Sequence, residues 1–163
     1  MAGSLAMLAP LSAYAQQAGK NVSDASATVN WTVAPLSLGK SPREGRVTVV
    51  LHGAVKDGWH VYALKQPENG PTPLVVALEP NDFAKPAGGL QASPPVVTHD
   101  ASFNLDLPYY AGAFTVSLPL RLRGKGQRFA LPVSVRFQTC NGRICQPPKT
   151  VHLSVPVEIG AAG

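Results

Sequence analysis

The residues in this 163-residue chain best placed to do chemistry are its two cysteines, in the segment Phe137-Gln138-Thr139-Cys140-Asn141-Gly142-Arg143-Ile144-Cys145-Gln146-Pro147-Pro148-Lys149. Two thiols this close can form a structural clip, exchange their disulfide with a partner, or bind a soft metal ion. In the chain-entropy picture a bridge closing so short a loop contributes about 2 kcal/mol, against about 4 kcal/mol for one spanning some 60 residues. Stability alone is therefore a weak reason for the pair. Exchange needs a thiolate, a resolving sulfur and an approach path, and the closeness of the two cysteines makes the resolving step intramolecular. The alternative, a non-catalytic exported β-sandwich binding domain whose hairpin disulfide only stiffens a turn, stays open. A metal site would need ligands from His52, His60, His99 or His152, and none falls at a ligand spacing. Arg143, between the cysteines, favours a thiolate only weakly, because a turn arginine is solvated and screened.

The elements that must position the pair read as strands. Val133, Val135 and Phe137 alternate with polar residues, and Val151, Leu153, Val155 and Val157 repeat the period of two after the cysteines. Asn141 to Ile144 fit a four-residue loop, with Asn141-Gly142 supplying positive φ, so Cys140 and Cys145 are expected opposite each other on a hairpin. Pro147-Pro148 cannot pair as a central strand, which predicts sulfurs at an exposed edge or tip. Sixteen prolines and fifteen glycines divide the rest into short alternating segments. Strands are predicted near Thr28–Val33, Val47–Val55, Trp59–Leu64, Leu74–Leu78, Phe114–Leu122, Arg128–Gln138 and Thr150–Val157. That pattern points to an all-β, immunoglobulin-like β-sandwich. Residues 35–45 and 79–95, rich in Pro, Gly, Ser and Ala, read as connections.

Length and a 45% hydrophobic content suit one domain with its own core. A net charge of +5 raises nucleic-acid binding, but the basic residues are scattered. Their one cluster, Arg121, Arg123, Lys125 and Arg128 around Gly124 and Gly126, fits a solvated hairpin tip, so no nucleic acid is expected. Residues 1–15 read as a secretory signal, apolar from Ala2 to Ala13 and ending in Ala13-Tyr14-Ala15 before Gln16-Gln17. No basic residue precedes the apolar run, as if the segment were truncated. Residues 16–27 are expected to be a flexible lead, 28–158 the folded domain and 159–163 a disordered tail. No stretch approaches the roughly 18 apolar residues of a spanning helix.

Cys140-Asn141-Gly142-Arg143-Ile144-Cys145-Gln146-Pro147-Pro148-Lys149, followed by an alternating strand, resembles the active-site hairpin of the N-terminal periplasmic domain of the DsbD family of thiol:disulfide interchange proteins. Upstream, Val55-Lys56-Asp57-Gly58-Trp59-His60-Val61-Tyr62 resembles that family's aspartate, glycine and aromatic-rich strand. Phe103, at its spacing before Leu118-Pro119-Leu120, matches the phenylalanine of the family's cap loop. The resemblance runs through most of residues 30 to 158. It implies a periplasmic thiol:disulfide oxidoreductase in which Cys145 attacks a partner disulfide and Cys140 resolves the mixed species, without a bound cofactor or metal. It further implies Phe103 as a cap over the sulfurs, Asn104 to Tyr110, including Tyr109, as the rest of the cap loop, and Tyr62 and His60 as lining. The partners it implies are thioredoxin-fold periplasmic proteins, among them isomerases or cytochrome-maturation factors, and a membrane electron donor of the DsbD type outside this sequence. The domain itself is expected to be a monomer, either stand-alone or part of a longer protein. Ala101 and Ser102 stand where better-known members carry acidic residues, leaving Asp100 as the nearest carboxylate, so acidic tuning of the thiols is not expected here.

Overall fold

The computed structural model describes residues 27–39, 45–123 and 128–160. The expected signal, nearly all of the lead, the end of the tail and the Gly124/Gly126 turn with Lys125 lie outside them. Among the described residues the strands, in order, are β1 (Val29–Val33), β2 (Leu36–Leu38), β3 (Arg46–Val55), β4 (His60–Tyr62), β5 (Val75–Leu78), β6 (Ala84–Pro86) and β7 (Gln91–Ala92). They continue as β8 (Val96–Asp100), β9 (Leu105–Tyr110), β10 (Ala113–Leu122), β11 (Arg128–Phe137), β12 (Thr139–Cys140) and β13 (Lys149–Ile159). No helix among these residues is long and apolar enough to cross a membrane.

The strands form three sheets. The first runs β1-β3-β10-β6, with β7 also on β10, the second β2-β13-β11-β5, and the third β12-β4-β9-β8. The pairings are antiparallel except that of β2 with β13. Alternation explains the two large sheets. Val49, Leu51 and Val55 of β3 and Phe114, Val116, Leu118, Leu120 and Leu122 of β10 are buried, as are Leu131, Val133, Val135 and Phe137 of β11 and Leu153, Val155, Val157 and Ile159 of β13. These inward rows form one core between the two sheets, as in the sandwich of immunoglobulin-like domains. Trp31 joins the two faces, its ring 5.4 Å from Phe114 and 5.6 Å from Phe137. Gly53 belongs to this contact, since a β-carbon there would overlap the Phe114 ring.

All seven strands read from the alternation are present in the expected order. Three differences matter. Residues 35–45 and 79–95, read as connections, contain β2, β6 and β7. The last strand extends through the buried Ile159, past the expected domain end. The residues on either side of Phe103 form β8 and β9, so the expected cap loop Asn104 to Tyr110 is largely strand, and only residues 101–104 form the turn. Pro108 hides this strand in the sequence. Its place is tolerated because the β4–β9 ladder consists of Val61↔Tyr110 and Tyr62↔Tyr109, so Pro108 faces the chain beyond β4, where its carbonyl accepts from the Ala63 N–H at 2.9 Å.

A disulfide hairpin clasped by a third sheet

β11 and β13 remain paired up to Phe137↔Lys149, and residues 138–148 then leave the sandwich. β12 turns to pair with β4, placing Thr139 opposite Val61 and Cys140 opposite His60. The loop that follows is built by Asn141. Its N–H donates to the Ile144 carbonyl at 3.1 Å, and its Oδ1 accepts from the N–H groups of Arg143 and Ile144 at 3.0 and 2.8 Å. Gly142 takes φ +80°, the left-handed geometry the reversal needs. Cys145 therefore returns antiparallel to Cys140, with 4.1 Å between Cα atoms, and the two are joined in a disulfide. The hairpin root is fastened as well. The Gln146 N–H donates to the Thr139 carbonyl at 2.9 Å, and the hydroxyls of Thr28 and Thr139 reach Gln146 Oε1 at 3.5 and 3.3 Å. Pro147-Pro148 keeps the chain out of a ladder until β13 begins.

The sulfurs are not at an exposed tip, as the diproline had suggested. Cys140 is 0% exposed, within a cluster with Tyr62 and Leu107 against which Phe103, Leu105, Tyr109 and Cys145 pack. Cys145 is half-buried. The difference arises from β8 and β9, which complete a third sheet under the hairpin. Phe103 stands in their connecting turn, next to Asn104 at φ +53°, and lies edge-on to Tyr62 with ring centroids 5.8 Å apart. His60 packs between Tyr109 at 4.6 Å and Tyr62 at 5.1 Å. All six expected site residues, Cys140, Cys145, Phe103, Tyr62, His60 and Tyr109, thus converge.

Asp100, which the sequence offered only as the nearest carboxylate, joins them. It is buried, and its Oδ2 accepts from the Tyr62 hydroxyl at 2.7 Å while its Oδ1 accepts from the Ser102 N–H at 2.8 Å. Burial opposes its charge, but the hydrogen bonds from Tyr62 and from the Ser102 and Phe103 N–H groups, with His60 nearby, outweigh burial and hold the carboxyl below its usual range. The Tyr62 phenol is pushed well above its usual range by burial and then by Asp100. The same hydroxyl lies 3.9 Å from Cys145 Sγ, so an acidic group does reach toward the sulfurs, through Tyr62. Burial lowers the His60 pKa, partly offset by Asp100. His60 Nε2 is buried without a hydrogen-bond partner and stands 3.7 Å from Asp100 Oδ2, too far for a hydrogen bond.

The other histidines do not join the site. His52 is exposed on β3, His99 meets Asp106 at 3.2 Å and His152 meets Glu79 at 2.7 Å. Among the described residues no three His, Cys, Asp or Glu side chains are grouped to hold a metal ion. Arg143 is exposed on the loop.

The hydrogen bond of Asp100 to Tyr62, the burial of Leu107 against Cys140 and the Thr28-Thr139-Gln146 clasp escaped the sequence reading. A signal for Leu107 was present in the alternation Leu105-Asp106-Leu107. The clasp had none, because Thr28 and Gln146 meet only through the fold.

Comparison with known proteins agrees with this architecture. The N-terminal domain of Neisseria meningitidis DsbD in the reduced form is similar, with a TM-score of 0.51 at 18% identity over 73% of this chain and 82% of that one. Two others align at a TM-score of 0.48 each. One is the complex between the DsbD and PilB N-terminal domains of Neisseria meningitidis, at 16% identity over 76% of this chain and 80% of that one. The other is the N-terminal periplasmic domain of ScsB from Proteus mirabilis, at 17% identity over 78% and 44%. No curated protein matches the sequence. The family described as thiol:disulfide interchange protein DsbD, N-terminal, matches residues 26–156, which include the hairpin, the β8–β9 turn and all three sheets but for the last three residues of β13, and the chain accordingly belongs to that family.

Proposed function

We propose that this domain is a periplasmic thiol:disulfide oxidoreductase that passes reducing equivalents to the disulfides of exported thioredoxin-fold proteins through Cys140 and Cys145. The observation that carries the reading is the asymmetry of the bridged pair: Cys140 is fully buried while Cys145 is half-buried, with Phe103 packed on the same cluster. A structural clip needs no such difference. An exchange pair does, since one sulfur must meet the partner and the other must wait behind it.

In the reduced domain the Cys145 thiolate attacks one sulfur of the partner disulfide. The partner's second sulfur leaves as a thiolate and takes up a proton. Cys140, as a thiolate, then attacks Cys145 Sγ and expels the partner's first sulfur. The products are the Cys140–Cys145 disulfide and a partner dithiol, with two electrons transferred. Resolution is intramolecular across one strand pair and is correspondingly fast. Phe103 shields the sulfurs until a partner displaces it, while Tyr62, His60 and Tyr109 line the site. A separate membrane electron donor reduces the pair again.

Equilibration of the purified domain against a glutathione or dithiothreitol series, read by alkylation and mass, tests the reading. A midpoint between about −180 and −270 mV, the span of known exchange proteins, is expected, and a bridge still oxidised below roughly −300 mV would make it a structural clip.

A further inference from the structure

The Tyr62 hydroxyl has one hydrogen and two acceptors within reach. It gives that hydrogen to Asp100 at 2.7 Å and lies 3.9 Å from Cys145 Sγ. Asp100 Oδ2 also faces His60 Nε2 at 3.7 Å, and that nitrogen has no hydrogen-bond partner despite its burial. A buried polar atom left unpaired carries a cost, and here a small movement brings it onto a carboxylate oxygen.

From this geometry we infer that His60 is a positioning residue for the sulfur chemistry: when its Nε2 carries a proton it takes over Asp100 Oδ2 and releases the Tyr62 hydroxyl to donate to Cys145. With His60 neutral and its hydrogen on Nδ1, Nε2 has none to offer, the carboxylate holds the Tyr62 hydrogen, and a Cys145 thiolate would have no donor. With His60 protonated, the new N–H meets the carboxylate and the phenol turns to sulfur. The Cys145 thiol then ionises without net release to solvent, because the proton given up by sulfur is the one carried by Nε2. The groups that meet His60 among the described residues come from its own strand and three others. They are Cys140 opposite it on β12, Tyr109 on β9, Asp100 on β8, and Tyr62 on its own strand. Asp100 is the one carboxylate among them, and it is held ionised by its own hydrogen bonds, so the proton has a single imidazole to occupy.

The inference deepens the exchange reading and rests on it for the thiolate's purpose, but its test starts from chemically reduced protein and reads out whatever the midpoint proves to be. The rate of iodoacetamide alkylation is followed from pH 4 to pH 11 in wild type, His60→Phe and Tyr62→Phe. Cleavage after Arg143 places the two cysteines on separate peptides, so the sulfur that reacts is identified. A thiolate paired with an imidazolium gives a shoulder that starts below neutrality and precedes the main thiol titration. The expected result is a Cys145 shoulder in wild type, lost in both variants, with alkylation at pH 6.5 about tenfold slower, the effect of one pKa unit. A single sigmoid in wild type, or a shoulder that survives in Tyr62→Phe, overturns the relay. A second measurement needs no variant: the NMR titration of the His60 ring is expected to show a higher pKa in reduced than in oxidised protein. Equal values in the two states overturn the inference.

Discussion

At the scale of single residues, the proposed exchange gives the two unequally buried sulfurs different tasks. Cys140→Ser leaves the accessible sulfur without its resolver, so it is expected to accumulate a mixed disulfide with a thioredoxin-fold partner. Cys145→Ser leaves only a sulfur that is 0% exposed and should accumulate several-fold less, as thiol access governs exchange. Non-reducing electrophoresis followed by mass analysis separates the two, and equal trapping would refute the order. Asp100 and His60 bear on stability in acid. Both have folded-state pKa values below their ordinary ones, so in both cases the unfolded chain binds more protons once the pH falls below the unfolded value. His60 contributes fully above about pH 6.5 and loses its contribution as the pH falls toward its lowered folded value. Asp100 does the same from about pH 4 downward. Urea midpoints are expected to fall from pH 8 to pH 5, with a smaller fall in His60→Phe. A midpoint independent of pH over that range would contradict the burial of His60 as a neutral group.

At the scale of elements, legibility followed the strength of the alternation. β3, β10, β11 and β13, each ten or eleven residues long, bury at least four alternate positions in a row, and that period identifies them without any fold in mind. β8 offered no such period, since Val96, Val97, Thr98 and His99 are all exposed. β9 was masked by Pro108 and β12 by its two-residue length. The third sheet was therefore invisible, and with it the burial of Cys140 and the route from Asp100 to the sulfurs. The site residues themselves were legible because each carries an unusual side chain in a recognisable segment. Their connection was not, because hydrogen bonds between strands 38 residues apart, as between Tyr62 and Asp100, leave no local pattern. The β8–β9 turn can be tested directly. Asn104 holds φ +53°, which a β-branched residue adopts only with difficulty, so Asn104→Val is expected to destabilise this turn by about 1–2 kcal/mol. Hydrogen exchange at residues 100–107 should quicken, and reduction of the disulfide by dithiothreitol should accelerate as Phe103 loosens. Unchanged exchange at the turn would mean that the cap is held by other contacts.

At the scale of the whole molecule, the sandwich closes without help from the disulfide. Its core is one apolar cluster drawn from all three sheets, and the bridge clips a short loop beside it. Reduction is expected to lower unfolding free energy by only about 2 kcal/mol, so the reduced domain remains folded. Leu131→Ala, at a position that is 0% exposed on β11, is expected to cost about 2–5 kcal/mol while leaving the redox midpoint unchanged. Urea unfolding and the redox titration together check that separation. A midpoint displaced by a core cavity would mean that sandwich and hairpin are energetically coupled.

If the proposed exchange holds, the burial of Cys140 has a kinetic corollary. A pair that presents one sulfur has one doorway, and the protein that reloads the domain must use the same doorway as the protein it serves. Donor and acceptor then take turns and never meet on the domain, which makes the traffic ping-pong. Double-reciprocal plots at several acceptor concentrations should be parallel lines. A surplus of either visitor should slow the whole relay by occupying the threshold when the other is due.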